Sequence, residues 1–150
     1  MTNQLTVQLI TTLLYHYAIE LRGIDNSTKV PNLATFLYHI IAIALVQETS
    51  FYYLHRLLHH GQIYRTIHKL HHYWQAPIAI AAIYCHPVEH FVANLFPVLL
   101  GPFLMGSHRS VLFVWLIMVH VNTLSDHSGY DLPWMPSPVY HDYHHMTLVK

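Results

Sequence analysis

Charge is scarce in this chain. Only 9% of its 150 residues are Asp, Glu, Lys or Arg, 53% are hydrophobic, and the formal net charge is zero. Soluble domains carry about 25% charged residues. Seven basic side chains balance seven acidic ones, so no long-range field draws the chain to nucleic acid or anionic lipid. Cysteine is nearly missing: a lone Cys85 excludes an internal disulfide and argues against an iron–sulfur cluster. Its surroundings, AAIYCHP, predict a buried thiol rather than a reactive one. The first residues lack the basic flank, apolar core and small-residue cleavage site of a signal peptide, and no repeat of solenoid period occurs. Low charge with a mean hydropathy of +0.30 predicts a membrane protein, and the length predicts a single domain over residues 1–150.

Histidine is what the chain has in excess, 16 residues against seven Lys plus Arg. The densest stretch is HRLLHHGQIYRTIHKLHH, residues 55–72. It sets His55 and His59 four apart, then His68, His71 and His72 at i, i+3 and i+4. Residues three and four apart share a helix face, so each cluster is expected to point its rings one way. The pattern returns as HDYHH, with His141, His144 and His145. Imidazole is a good ligand for zinc, copper, iron or nickel.

Hydropathy predicts an all-α, polytopic membrane protein with about four transmembrane helices in two hairpins. Residues 5–21 form an apolar run at the lower limit for a span, weakened by His16 and Glu20, and an interfacial or core helix is the alternative. The polar turn RGIDNSTKVPN ends it. Residues 33–54 are long enough to cross a bilayer and run straight into the first histidine pair. Glu48, Tyr52, His55 and His59 follow at spacings of 4, 3 and 4, one stripe along a helix. Glu48 is expected either to orient a metal ligand through its ring N–H or to be satisfied by a neighbouring helix. Residues 77–85 are too short to span and read as an embedded or re-entrant segment. HPVEH looks like a helix start, with Pro87 at the first helical position and Glu89 in the first turn. His86 and His90, four apart, remain open as metal contacts, as does His60 beside the first pair. Residues 91–105 and 110–124 make a kinked hairpin that delivers His127 to the side of the other clusters; His120, deeper in the second arm, suits a helix-to-helix hydrogen bond. Arg56, Arg65 and Lys69 lie in the histidine-rich connection, against Arg22 with Lys29 in one of the other two short loops and Arg109 alone in the second, so the metal site is expected on the cytosolic face.

The strongest ligand candidates are His55, His59, His68, His71, His72, His127, His141, His144 and His145. One tetrahedral zinc takes four ligands, so nine suggest two ions. A site of neutral imidazoles at the mouth of a membrane cavity suits redox chemistry on an apolar substrate better than hydrolysis.

In this order, HRLLHH, IHKLHH, QAP, HPVE, DHSGYDLPW and HDYHH resemble the membrane fatty acid hydroxylase and sterol desaturase superfamily, and within it the methylsterol monooxygenases. The resemblance covers residues 45–147 strongly. It implies a multi-pass enzyme of the endoplasmic reticulum membrane with a di-iron centre, zinc being able to occupy the same ligands. His55 and His59 match the first motif, His68, His71 and His72 the second, and His141, His144 and His145 the last. His127 matches the histidine of HSGYD, and His86 the one before the Pro-x-Glu helix, in a role left open. No catalytic residue beyond the metal ligands is implied. The implied reaction is stepwise oxidation of a sterol 4-methyl group by molecular oxygen, to alcohol, aldehyde and carboxylate. Electrons would come from NAD(P)H through a reductase and a small membrane haem carrier. Another lipid hydroxylase or desaturase of the superfamily is the alternative. Relatives continue past the last motif, so the resemblance also implies a domain incomplete at its C-terminus, and a chain ending here is expected to bind metal but turn over poorly, as a truncated paralogue would.

Overall fold

The computed structural model describes residues 2–23 and 25–147. Every regular element among them is helical. α1 (Thr2–Arg22) ends where Gly23 turns to φ 78° and returns its N–H to Ile19 O at 2.9 Å, the left-handed cap that glycine adopts without a Cβ penalty. α2 (Leu33–Leu58) starts at Asn32, whose side chain accepts from Thr35 N–H at 2.9 Å. Its 26 residues extend about 39 Å at 1.5 Å each. Leu33, Leu37, Ile41 and Leu45 lie exposed at intervals of four, a stripe that fits lipid rather than water. The helix runs past the expected end and carries His55 on its last turns.

After a short α3 (Gly61–Thr66), residues His68–Tyr73 and Ala79–Ile83 form two 3₁₀ turns. α4 (Pro87–Glu89), a π-helical segment (His90–Leu95) and α5 (Phe96–Met105) then run as one 19-residue helix. Proline explains its irregularity. Pro97 has no N–H to return to the carbonyl four residues back, and the ladder beside it shifts to i→i+5 bonding. Pro102 likewise leaves Val98 O without its helical donor, and the indole N–H of Trp115 takes that acceptor at 2.9 Å. Gly106 (φ 57°) closes α5, α6 (Arg109–Asp126) returns, and α7 (Val139–Thr147) carries the last histidine motif.

α2 packs chiefly against α5. Ile43, Val111 and Trp115 form the buried centre, flanked by Phe36, Ile40, Val98 and Met105. A Cβ on Gly101 would lie 3.0 Å from Ile43 Cα, so glycine there sets how closely the two helices approach. Leu33–Leu58 and Pro87–Met105 are long and apolar enough to cross a membrane. α1 and α6 do not meet that measure among the described residues. His120 makes no bond to another helix among the described residues; its Nδ1–H donates to Leu116 O of its own helix at 2.7 Å. Cys85 is fully buried, as expected, and burial pushes its thiol up to about 12.

Candidate metal centre

The end of α2, the 3₁₀ turn at 68–73, the end of α6 and the whole of α7 meet at one place, and nine imidazoles gather there. They form two quartets. In quartet one, His55, His59, His68 and His144 each turn a ring nitrogen inward, all within 4.8 Å of one another. Nε2–Nε2 separations are 3.0 Å for His55–His144, 3.0 Å for His59–His144, 3.3 Å for His59–His55 and 3.2 Å for His68–His59. Quartet two is His71, His127, His141 and His145, with separations of 2.9 Å for His141–His127, 3.0 Å for His145–His141 and 3.5 Å for His127–His71. His72 lies between them. Its Nε2 is 3.0 Å from that of His68, and its ring centroid is 4.5 Å from that of His145.

The motifs do not map one to a quartet. His68 and His71 of the second motif point to different quartets, as do His144 and His145 of the last. The expectation that each cluster aims its rings one way is corrected here. In the last motif, residues at i+3 and i+4 sit about 100° apart around α7, enough to straddle two neighbouring centres. In the second, His68 and His71 are stacked one 3₁₀ turn apart on the same face, with ring centroids 5.5 Å apart, and a rise of about 6 Å over three residues sets them beside different centres.

Donor chemistry makes these quartets a fit for metal. Burial, reinforced by neighbouring imidazoles, holds His72 down at about 3 and His145 at about 4, and places His68, His71 and His141 far below the ordinary histidine value. His127 is lowered too, chiefly by burial. Protonation therefore cannot fill the centres at neutral pH, and the neutral ring is the form that ligates. Tautomers are fixed from behind. His68 Nδ1–H donates to Glu89 Oε1 at 2.8 Å and His127 Nδ1–H to Thr123 O at 2.8 Å, leaving both Nε2 lone pairs aimed inward. Lone pairs this close repel unless a proton or a cation lies among them. Two ligands about 2.05 Å from one ion, at angles of about 90–110°, are about 2.9–3.4 Å apart. The closest observed separations fall in nearly the same range, and the remaining pairs of each quartet lie within 4.8 Å.

Other expected contributors lie elsewhere. Glu48 is exposed rather than buried against the first motif, and its charge bears on Asp126 of α6. Tyr52 is exposed and accepts from Arg56 Nη1 at 2.9 Å. His60 is exposed at the start of α3. His86 uses Nδ1 to cap α4, accepting from Val88 N–H at 3.2 Å. His90 is buried in the π-helical segment and belongs to neither quartet. The carboxylate that does reach an imidazole, Glu89, is buried on the first turn of α4. The signal that pointed to Glu48, an acidic residue within an apolar stretch beside a histidine motif, applies equally to Glu89 in HPVE.

Apolar helices holding a buried, histidine-only pair of candidate metal sites define an all-helical metal-site architecture of membrane type. The family described as fatty acid hydroxylase matches residues 40–150. The chain belongs to that family. It is 47% identical over 118 residues to human fatty acid hydroxylase domain-containing protein 2 (79% of this chain, 35% of that protein). Rat methylsterol monooxygenase 1 is 38% identical over 129 residues (81% and 44%), and the very-long-chain aldehyde decarbonylase GL1-11 of Oryza sativa subsp. indica 31% over 150 residues (95% and 56%). The chain thus spans roughly a third to somewhat over half the length of these curated relatives. No solved structure matches.

Proposed function

We propose that the chain carries the di-iron centre of a membrane monooxygenase that oxidises a sterol 4-methyl group with molecular oxygen. The observation that carries this reading is the pair of adjoining imidazole quartets, His55, His59, His68 and His144 beside His71, His127, His141 and His145, with His72 between them. Iron supplies the oxygen chemistry that no side chain can perform on an unactivated C–H bond. Each round inserts one oxygen atom into the substrate and releases the other as water, consuming two electrons. Those electrons come from NAD(P)H through a reductase and a small membrane haem carrier. Zinc binds the same imidazoles without supplying redox chemistry.

The protein's own groups shape the approach. Trp74, Pro77, Ile78 and Ala81 wall a cavity of about 10 Å³ that opens on His127, His141 and His145. At that size it holds about one water-sized group and no sterol ring. Gly129 (φ 75°) holds that wall in place, since a Cβ there would lie 2.8 Å from Pro77 Cγ. In the layout that goes with this reading, α1 with α2 and the Pro87–Met105 helix with α6 form two hairpins in the endoplasmic reticulum membrane, with the quartets on the cytosolic side. Lys69, Arg65 and Arg56 flank the histidine motifs there, in keeping with positive charge on the cytosolic face.

A second reading, hydroxylation of an acyl chain or another lipid, is favoured by the fatty acid hydroxylase name of the human relative. The deciding experiment supplies the full-length, iron-loaded protein in membranes with reductase, haem carrier and either a 4,4-dimethylsterol or acyl lipids. Formation of 4-hydroxymethyl and 4-carboxy sterol is expected. Hydroxylated acyl chains without sterol product would transfer the assignment to the second reading, and no lipid-dependent oxygen uptake would defeat both.

A further inference from the structure

We propose that the two quartets bind metal unequally, and that Glu89 makes quartet one the tighter. The inference rests on the two-ion reading above and concerns what lies behind each set of rings.

Behind quartet one stands a buried carboxyl group, which can match a bound cation with a negative charge of its own. Glu89 is 2% exposed and His68 is fully buried. Glu89 Oε1 accepts from His68 Nδ1–H at 2.8 Å, while Oε2 is buried with no hydrogen-bond partner among the described residues. A buried carboxylate with one hydrogen bond is costly unless positive charge offsets it. The centre on the far side of the His68 ring is where that charge fits, at the other end of the same imidazole. A ring whose Nδ1–H donates to a carboxylate is also a more basic Nε2 donor, fixed in orientation.

Behind quartet two stand neutral dipoles. Thr123 O accepts from His127 Nδ1–H at 2.8 Å, and the backbone of Trp74 bonds the His145 ring. His71 Nδ1 is buried without a partner among the described residues. Asp142 shares α7 with His141 and His145 and its charge reaches His127. It is only half-buried, however, and no hydrogen bond joins it to a ring of the quartet among the described residues. Backbone carbonyls orient these imidazoles but bring no net charge to oppose a divalent ion.

The test is a titration of the full-length protein in detergent with zinc against a competing chelator, bound metal being counted by mass spectrometry. The wild type is expected to take two ions with separable dissociation constants. Glu89→Gln keeps an acceptor for His68 but removes the charge; it should weaken the tighter constant about 10–100-fold and leave the other within about threefold. If that variant does not fold, a reciprocal pair decides. His141→Ala should abolish the weaker constant and keep the tighter one, and His55→Ala should do the reverse. Equal weakening of both constants in a Glu89→Gln protein that melts as the wild type does overturns the proposal. Two equal wild-type constants, or loss of the tighter constant in His141→Ala, overturn it as well. A wild type that takes only one ion defeats the two-ion reading itself and this inference with it, whereas two ions that respond alike to Glu89→Gln defeat only the inequality.

Discussion

Quartet one is assembled by residues far apart in the chain and anchored by a carboxylate: α2 supplies His55 and His59, a 3₁₀ turn His68, and α7 His144. Quartet two takes His71 from the same turn, two rings from α7 and one from the end of α6, and leans on peptide carbonyls. One is backed by a buried carboxyl group and the other by backbone dipoles, although the ring geometry of the two is nearly the same. On the two-ion reading, the groups behind the rings, rather than ligand type and spacing alone, set how strongly each quartet holds an ion.

Removing a ring breaks the comparison most severely. His59→Ala should take one ion from quartet one, and His145→Ala one from quartet two. Each should lower oxygen-dependent lipid oxidation by more than about 100-fold, exceeding the usual loss for an outer-shell partner. Metal counting beside product analysis checks it. A variant that lost its ion but kept turnover would detach the chemistry from that quartet.

Acid should act on both quartets together. The folded rings titrate below the unfolded value of about 6.5, because the native state keeps them neutral. Their stabilising contribution is complete above about pH 6.5. It falls as the pH drops toward the folded values, about 4 for His145 and about 3 for His72, because the unfolded chain binds more protons in that window. Each ring contributes a slope of at most about 1.4 kcal/mol per pH unit. Chelator-free melts of the apoprotein between pH 7 and 4 should show a progressive fall. Protons compete with the ions over the same range, so metal should be released as well. Flat melting across that range would contradict the buried, neutral rings.

How much of this was legible beforehand follows from what each feature depends on. Helix placement rests on local signals, namely the apolar run of α2, Pro87 at the first turn of α4 and the polar turn after α1, and those elements formed where the sequence points. The histidine motifs are equally local, since spacing and ring type identify them without a fold. Glu89 and Glu48 were not separable in the same way. Both are acids in apolar stretches near a motif, and only the packing of the Pro87–Met105 helix behind His68 buries one and leaves the other outside. The division of His68 from His71 and of His144 from His145 depends on where neighbouring elements stand, a tertiary fact that periodicity does not contain.

Smaller changes sharpen the contrast by touching neither quartet. Gly101→Ala forces a methyl against the backbone of Ile43 and should cost about 1–3 kcal/mol through overpacking. It should lower both occupancies in step, without changing either dissociation constant of the folded fraction. A shift confined to one constant would show that the α2–α5 contact positions one quartet specifically. Glu48→Gln should do least. The residue is exposed, so stability should stay within about 0.5 kcal/mol and metal content should be unchanged. A clear fall in metal content would restore Glu48 as a partner of the first motif.

The most direct test of the central claim is a structure of the iron-loaded, full-length protein with anomalous scattering recorded at the iron edge. Two peaks are predicted, one enclosed by His55, His59, His68 and His144 and the other by His71, His127, His141 and His145. A single peak, or one coordinated by His60, His86 or His90 in place of either quartet, would contradict it.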